Sequence, residues 1–122
     1  SVDFGDLTVA SRSGGQTACN STRGVIPLGY FTPGANGNRI DYITMATTGN
    51  STDFGDSTQA RRDAGGMSSP TRGVFAGGLG TPTIVNTIDY IEIPTTGNAV
   101  DFGDTGGTFS MIAGVSNAHG GL

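Results

Sequence analysis

Tryptophan and lysine are both missing from this 122-residue chain, and cysteine and histidine occur once each. Each scarcity closes off a kind of chemistry. With no lysine, and six basic residues against ten acids for a net charge of −4, no basic cluster exists to neutralise phosphates, so a nucleic-acid partner is not expected. Cys19, standing alone, rules out an intrachain disulfide framework and reads as a small filler among Ala18, Asn20 and Ser21. His119, standing alone, cannot supply a familiar zinc site, and no serine lies in a nucleophile-elbow context. No cofactor, metal centre or enzymatic activity is therefore expected. No apolar run approaches the length of a membrane span. The chain carries no initiator Met and no signal peptide, so its start is expected to be internal or processed.

Glycine is plentiful instead, at 22 residues with no collagen-like triplet. The glycines fall at matching places in an internal repeat, as turn and strand-end positions do. Asp3-Phe4-Gly5-Asp6 returns as Asp53-Phe54-Gly55-Asp56 and as Asp101-Phe102-Gly103-Asp104, with steps of 50 (3 to 53) and 48 (53 to 101) residues. Other blocks keep nearly the same step. Ile40-Asp41-Tyr42-Ile43 returns as Ile88-Asp89-Tyr90-Ile91, Thr47-Thr48-Gly49-Asn50 as Thr95-Thr96-Gly97-Asn98, and Thr22-Arg23-Gly24-Val25 as Thr71-Arg72-Gly73-Val74. A fainter third copy of the last block is Ala118-His119-Gly120-Gly121. The units are 1–51, 52–99 and a partial 100–122, about two and a half repeats in a single repeat domain. One such unit cannot bury both of its faces, so the chain is expected to be completed by other copies of itself or by flanking repeats.

No segment carries helical periodicity, and Gly, Thr, Asn and Pro interrupt every candidate, so the chain reads as all-β. Val2 to Leu7 reads as a short strand with Val2 and Phe4 on one face. Arg23 to Tyr30 reads as a strand that Pro27 interrupts or confines to an edge. Arg39 to Met45 and Thr87 to Ile93 read as strands apolar on both faces, as in a sheet sandwiched between sheets. Gly73 to Gly78 reads as a strand running into a double glycine. Phe31 to Asn38 and Leu79 to Asn86 read as turn-rich loops that vary while the frame stays constant.

A strand ending in Gly77-Gly78, a loop, a strand bearing Tyr42 or Tyr90, a Thr-Gly turn, an aromatic strand (Phe4, Phe54, Phe102) and a polar bend reaching Arg12 or Arg62 together resemble the kelch repeat. The resemblance covers essentially the whole chain. It implies β-propeller blades of four short antiparallel strands, with phenylalanine where kelch repeats usually have tryptophan. The first unit departs from it with Leu28-Gly29 for the double glycine, and the third with Ser110 for the arginine. The wording of the repeat is also similar to kelch-like repeats in virion and tail-associated proteins of aquatic bacteriophages. That implies a virion or extracellular setting and a structural role. A propeller oxidase of the galactose-oxidase type needs a copper set of several His and Tyr, which one histidine cannot provide.

The motif residues are weighed on their own chemistry. Asp-Phe-Gly also occurs in kinases as a Mg²⁺-binding element, but three copies with no lysine and no catalytic loop do not make a kinase. Asp3 and Asp6, Asp53 and Asp56, and Asp101 and Asp104 offer oxygen donors to Ca²⁺, yet neither an EF-hand nor a Gly-Gly-x-Gly-x-Asp pattern is present. Accepting backbone N–H bonds in the following turn, or pairing with the repeat's arginine, is the favoured role. Arg12 and Arg62 are expected to tie one unit to the next through a carboxylate or carbonyls. Loops that vary on a constant frame are where recognition sits, which makes Tyr30, Phe31, Asn36 and Asn38 the candidate ligand contacts, for instance with surface glycans. The leading expectation is a self-assembling structural protein; the alternative is a lectin-like module.

Overall fold

The computed structural model of the protein describes residues 1–13, 15–31 and 33–115. His119 and the block Ala118-His119-Gly120-Gly121 lie outside them. Among the described residues every regular element is a strand and none is a helix. The first two units each supply three strands of a four-stranded antiparallel sheet, whose fourth strand is the Asp-Phe-Gly-Asp block that opens the following unit. In the first, β2 (Ala18–Cys19), β3 (Arg23–Pro27), β6 (Arg39–Thr44) and β7 (Thr52–Asp56) lie in the order β2-β3-β6-β7. In the second, β8 (Gly65–Ser68), β9 (Arg72–Ala76), β10 (Thr87–Glu92) and β11 (Val100–Asp104) lie in the order β8-β9-β10-β11. Registers match strand for strand: Val25 stands opposite Ala18 and Tyr42, and Val74 opposite Met67 and Tyr90.

Between β3 and β6 the chain leaves the sheet to form a third, smaller one. It consists of β1 (Ser11–Ser13), β4 (Tyr30–Phe31) and β5 (Ala35–Asn36), in the order β1-β4-β5. The stretch Phe31 to Asn38, expected to be a turn-rich loop, thus contains strand pairing of its own. In the second unit the same place is held by two isolated bridges, Arg62 to Leu79 and Leu79 to Ile84. Pro27 falls at the last position of β3, where its missing N–H costs no interior ladder bond.

The Asp-Phe-Gly-Asp block has a local structure that its residues dictate. In the β6–β7 ladder Ile40 faces Gly55 and Asp41 faces Asp53, leaving Phe54 as an extra, bulged residue. The β10–β11 ladder makes the same bulge at Phe102. The glycine of each block adopts a positive φ (+147° at Gly5, +146° at Gly55, +137° at Gly103), which a side chain would resist. Its N–H is taken by the aspartate two residues earlier, at 3.2, 3.1 and 2.9 Å for Asp3, Asp53 and Asp101. A bulge kinks a strand and re-aims a side chain, here the phenylalanine.

Phe54 is aimed into the core. Ala18, Val25, Ile40 and Phe54 of the first sheet pack on Phe75, Ile91 and Ile93 of the second, with Tyr42 and Ala99 alongside. The sheets approach closely at Gly73, where a Cβ would sit 2.7 Å from that of Ala18. Each large sheet therefore has one face covered by the other, while its second face, with Met45 on the first and Met67 and Phe102 on the second, is left exposed, so the expected covering of both faces is met on one face only.

The expected strand over Val2 to Leu7 is a correction: no regular element occupies residues 1–10. The segment still lies along the first sheet, because the Phe4 and Asp6 carbonyls accept the N–H groups of Gly49 and Ser51, both at 2.8 Å. Among the described residues no strand pairs with its other edge, so no ladder defines it.

Candidate functional site

The sites that repeat are seams between successive units. At the seam between the two large sheets, the Phe54 and Asp56 carbonyls accept the N–H groups of Gly97 and Ala99, both at 2.8 Å, and the Asp56 N–H donates to Asn98 Oδ1 at 3.1 Å. At the earlier seam, Phe4, Asp6, Gly49, Ser51 and Asn50 make the same three bonds, with Asp6 N–H to Asn50 Oδ1 at 3.0 Å. The Thr-Gly-Asn turn that closes a unit is thus the receptor for the Asp-Phe-Gly-Asp block that opens it. Glycine is required at this contact. A Cβ on Gly5 or Gly55 would come within 2.5 Å of the carbonyl carbon of Gly49 or Gly97.

Under each seam lies a fully buried carboxylate from the Ile-Asp-Tyr-Ile block. Asp41 accepts the Thr8 N–H at 2.8 Å, the Thr8 hydroxyl at 2.7 Å and the Ser51 hydroxyl at 2.5 Å, with Arg39 Nε at 3.4 Å. Burial alone would raise its pKa, but the Ser51 hydroxyl, both Thr8 donors and Arg39 together outweigh that and hold the carboxyl below the usual carboxylate value. Asp89 repeats the arrangement with Thr58 (N–H 2.8 Å, hydroxyl 2.7 Å), but its remaining partner is the buried guanidinium of Arg61. Arg61 also reaches the Phe75 carbonyl, at 3.4 Å.

Of Arg12 and Arg62, expected to tie one unit to the next, Arg62 does cross between units, but onto an amide and an aromatic ring and not onto a carboxylate of another unit or a carbonyl, while Arg12 stays within its own unit. The guanidinium groups of both lie over the Tyr30 ring, 4.9 and 4.8 Å from its centre. Arg62 further donates to Asn36 Oδ1 at 3.1 Å and lies 3.5 Å from Asp63. The carboxylate contact across the seam belongs to the neighbouring Arg61, which has Ser11 as its counterpart one unit earlier. Comparing units position by position hides a residue that occurs in only one of them; the adjacent pair Arg61-Arg62 was the available signal.

The other motif residues have defined partners. Tyr42 and Phe54 meet edge to face with centroids 6.0 Å apart, and Tyr90 and Phe102 do the same at 6.0 Å. Arg23 and Arg72 lie over Tyr42 and Tyr90 at 4.6 and 4.4 Å. Arg23 also reaches across to the Ile93 carbonyl of the second sheet at 2.9 Å, whereas Arg72 turns to Glu92 at 3.1 Å. Gly77 and Gly78 both adopt positive φ (+64° and +113°), and a Cβ on Gly78 would sit 2.7 Å from the Arg62 carbonyl oxygen. Gln16 Oε1 accepts the N–H groups of Gly66 (3.2 Å) and Gly114 (2.8 Å), joining one side chain to corresponding points of the next two units.

The four loop candidates do come together around β4 and β5, but three are engaged internally. Tyr30 carries the two arginines. Phe31 packs its ring over Gly37. Asn36 donates to the Leu79 carbonyl and the Thr81 hydroxyl, each at 3.0 Å. Asn38 is exposed, and its carbonyl accepts the Ser57 N–H at 2.6 Å. Cys19 is exposed. Among the described residues no three His, Cys, Asp or Glu side chains gather as a metal site would require, and no helix is long and apolar enough to cross a membrane. No protein-family model matches the chain, and a comparison with curated proteins returns no match.

Proposed function

We propose that this chain is a non-enzymatic structural and interaction protein whose units are kelch-like propeller blades, associating with copies of itself or with further repeats through blade–blade contacts. The observation that carries this reading is the unequal burial of equivalent residues. Phe54 is 3% exposed and Phe102 is 58% exposed, although they sit on equivalent bulges beside the equivalent tyrosines Tyr42 and Tyr90. Ala18 is fully buried, while Met67 at its place in the second sheet is 38% exposed. The face of the first sheet that the second sheet covers is thus presented again, uncovered, by the second sheet. Around Met67, Val74, Phe102 and Val115 it forms a cleft of about 300 Å³. Arg72 fits the same picture: its counterpart Arg23 bonds to the neighbouring sheet, and among the described residues Arg72 reaches Tyr90 and Glu92 of its own sheet alone. Burying apolar surface of this kind favours association at roughly 25 cal/mol per Å² removed from water, before the entropic cost of joining two bodies.

The virion or extracellular setting, as a tail, fibre or filament component, draws its support from the wording of the repeat. Glycan binding through Tyr30, Phe31, Asn36 and Asn38 has less in its favour, since Tyr30 is already under two guanidinium groups and Asn36 spends its amide on Leu79 and Thr81. Light scattering during size exclusion tests the reading. A mass that rises with loading concentration is expected, and a constant monomer mass up to millimolar protein would refute it.

A further inference from the structure

The seam geometry carries the assembly reading one step further, on which it rests. We infer that β11 of one copy docks on the Gly49–Ser51 turn of a second copy and displaces that copy's own Val2–Asp6 segment.

Val2–Asp6 and Val100–Asp104 are the same pentapeptide. They also share a local fold, with the same aspartate-to-glycine turn and nearly the same glycine φ. Val2–Asp6 holds that shape with no strand paired along its other edge, so the block is preformed wherever it occurs. Two of the three blocks lie on a Gly-Asn turn. The third, β11, is an edge strand, and no described segment runs along its free side. Its glycine shows the vacancy. A Cβ on Gly5 or Gly55 overlaps the receiving turn, whereas a Cβ on Gly103 meets nothing within 4 Å among the described residues.

The occupant that fits this edge is a Gly-Asn turn, and the turn at Gly97–Ala99 is already filled by β7. The turn at Gly49–Ser51 is filled by the only segment in the chain identical to β11. One copy's β11 and the other's Val2–Asp6 cannot both lie there, so docking requires exchange. The backbone bonds trade one for one: carbonyls of Phe102 and Asp104 for those of Phe4 and Asp6, and the Asp104 N–H for the Asp6 N–H on Asn50.

Two differences set the balance. The resident segment is tethered, which gives it a high effective concentration, and it contributes the Thr8 hydroxyl to Asp41. The place of Thr8 after the third block is Gly106, which has no hydroxyl. In return, β11 arrives with the rest of its sheet. It lays Met67, Val74 and Phe102 over the outer face of the first sheet, where Ile26 and Ile43 are half-buried and Met45 is exposed. Association is therefore concentration-dependent and self-limited by the chain's own first residues.

The test is light scattering of the whole chain against concentration, with circular dichroism on every variant to confirm the sheet signal. Gly5→Ala expels the resident segment and is expected to lower the concentration of half-association by about tenfold, the scale of one or two backbone hydrogen bonds. Gly103→Ala, which meets open space within its own copy, is expected to raise it by about tenfold. If every variant associates as the unsubstituted chain does, the exchange is wrong and the broader assembly reading survives. If no variant associates at any concentration, the assembly reading fails and takes the exchange with it. A second measurement does not depend on glycine. In a Cys19→Ser background, Asn50→Cys protein is mixed with Asp104→Cys protein and oxidised. A disulfide joining the two different copies is expected, because position 104 then takes the place that Asp6 holds beside Asn50. Its absence from an associated mixture overturns the exchange.

Discussion

Removing the Arg61 side chain is the most direct probe of what holds the two sheets together. The guanidinium lies between β9 and β10, 5% exposed, against a carboxylate with no exposure at all. Asp89 keeps its two bonds from Thr58 when Arg61 becomes alanine, but it loses its counter-charge inside the protein. Breaking a buried pair from one side costs about 3–5 kcal/mol, because the remaining charge stays desolvated. The lower end applies here. Arg61 Nη1 is buried with no partner among the described residues, so the pair is incompletely satisfied to begin with. A loss of about 3 kcal/mol is a large share of the ~5–15 kcal/mol that stabilises a typical domain. With a urea slope of ~1–3 kcal/mol per molar, it moves the denaturation midpoint down by about 2 M. Urea unfolding followed by circular dichroism measures it. The first unit supplies a rescue: Ser51 does for Asp41 what Ala99, its counterpart, cannot do for Asp89. Arg61→Ala combined with Ala99→Ser should recover about 1 kcal/mol or more, as a hydroxyl bond to a charged group is worth ~1.5–3 kcal/mol. A loss below about 1 kcal/mol for Arg61→Ala would refute the reasoning. So would an Ala99→Ser gain of equal size with and without Arg61.

Two further perturbations follow from the same geometry. Asp41 titrates lower in the folded chain than in the unfolded one, so the unfolded chain binds the proton first as pH falls. Its stabilising contribution is complete above the ordinary aspartate value of about 3.9 and is lost as the pH drops through the lower folded value; thermal melts of Asp41→Asn beside the parent should show the parent's advantage shrinking below about pH 4. Truncating the two equivalent phenylalanines should separate fold from assembly. Phe54→Ala, in the core, should cost ~3–5 kcal/mol in urea unfolding, and Phe102→Ala, on the uncovered face, ~1 kcal/mol from its lost contact with Tyr90, while weakening association.

The frame was legible because it is written repeatedly. Strands expected at Arg39 to Met45 and Thr87 to Ile93 are β6 and β10 to within a residue at their ends, and the strand running into Gly77-Gly78 is β9. Period-two apolar residues on both faces suggested a sheet covered on each side, and one side of each sheet is covered. Strand pairing was not legible where it depends on a partner. Val2 to Leu7 carries a strand pattern, but a strand is defined by its ladder, and the block's own aspartate and glycine fold it without one. Phe31 to Asn38 looked irregular because its turn residues dominate the composition, yet β4 and β5 pair around them. Among the seam residues, the aspartates and glycines of the repeated block were visible as turn formers. The partners of Asp41 and Asp89 were not, since Ser51 and Arg61 each belong to one unit only. The aromatic and amide candidates at β4 and β5 were found as a group. Their engagement by Arg12, Arg62, Leu79 and Thr81 depends on chain folding over separations that no local pattern records.

The two buried carboxylates are completed differently, one by Ser51 and Arg39, the other by Arg61 from the connection between β7 and β8. A chain of near-identical modules risks joining out of order, because every block resembles every other. Unlike chemistry beneath otherwise matching junctions gives each one an address. A module that brings a hydroxyl where a guanidinium is needed leaves a charge stranded in the interior, and the mismatch is rejected by its own instability.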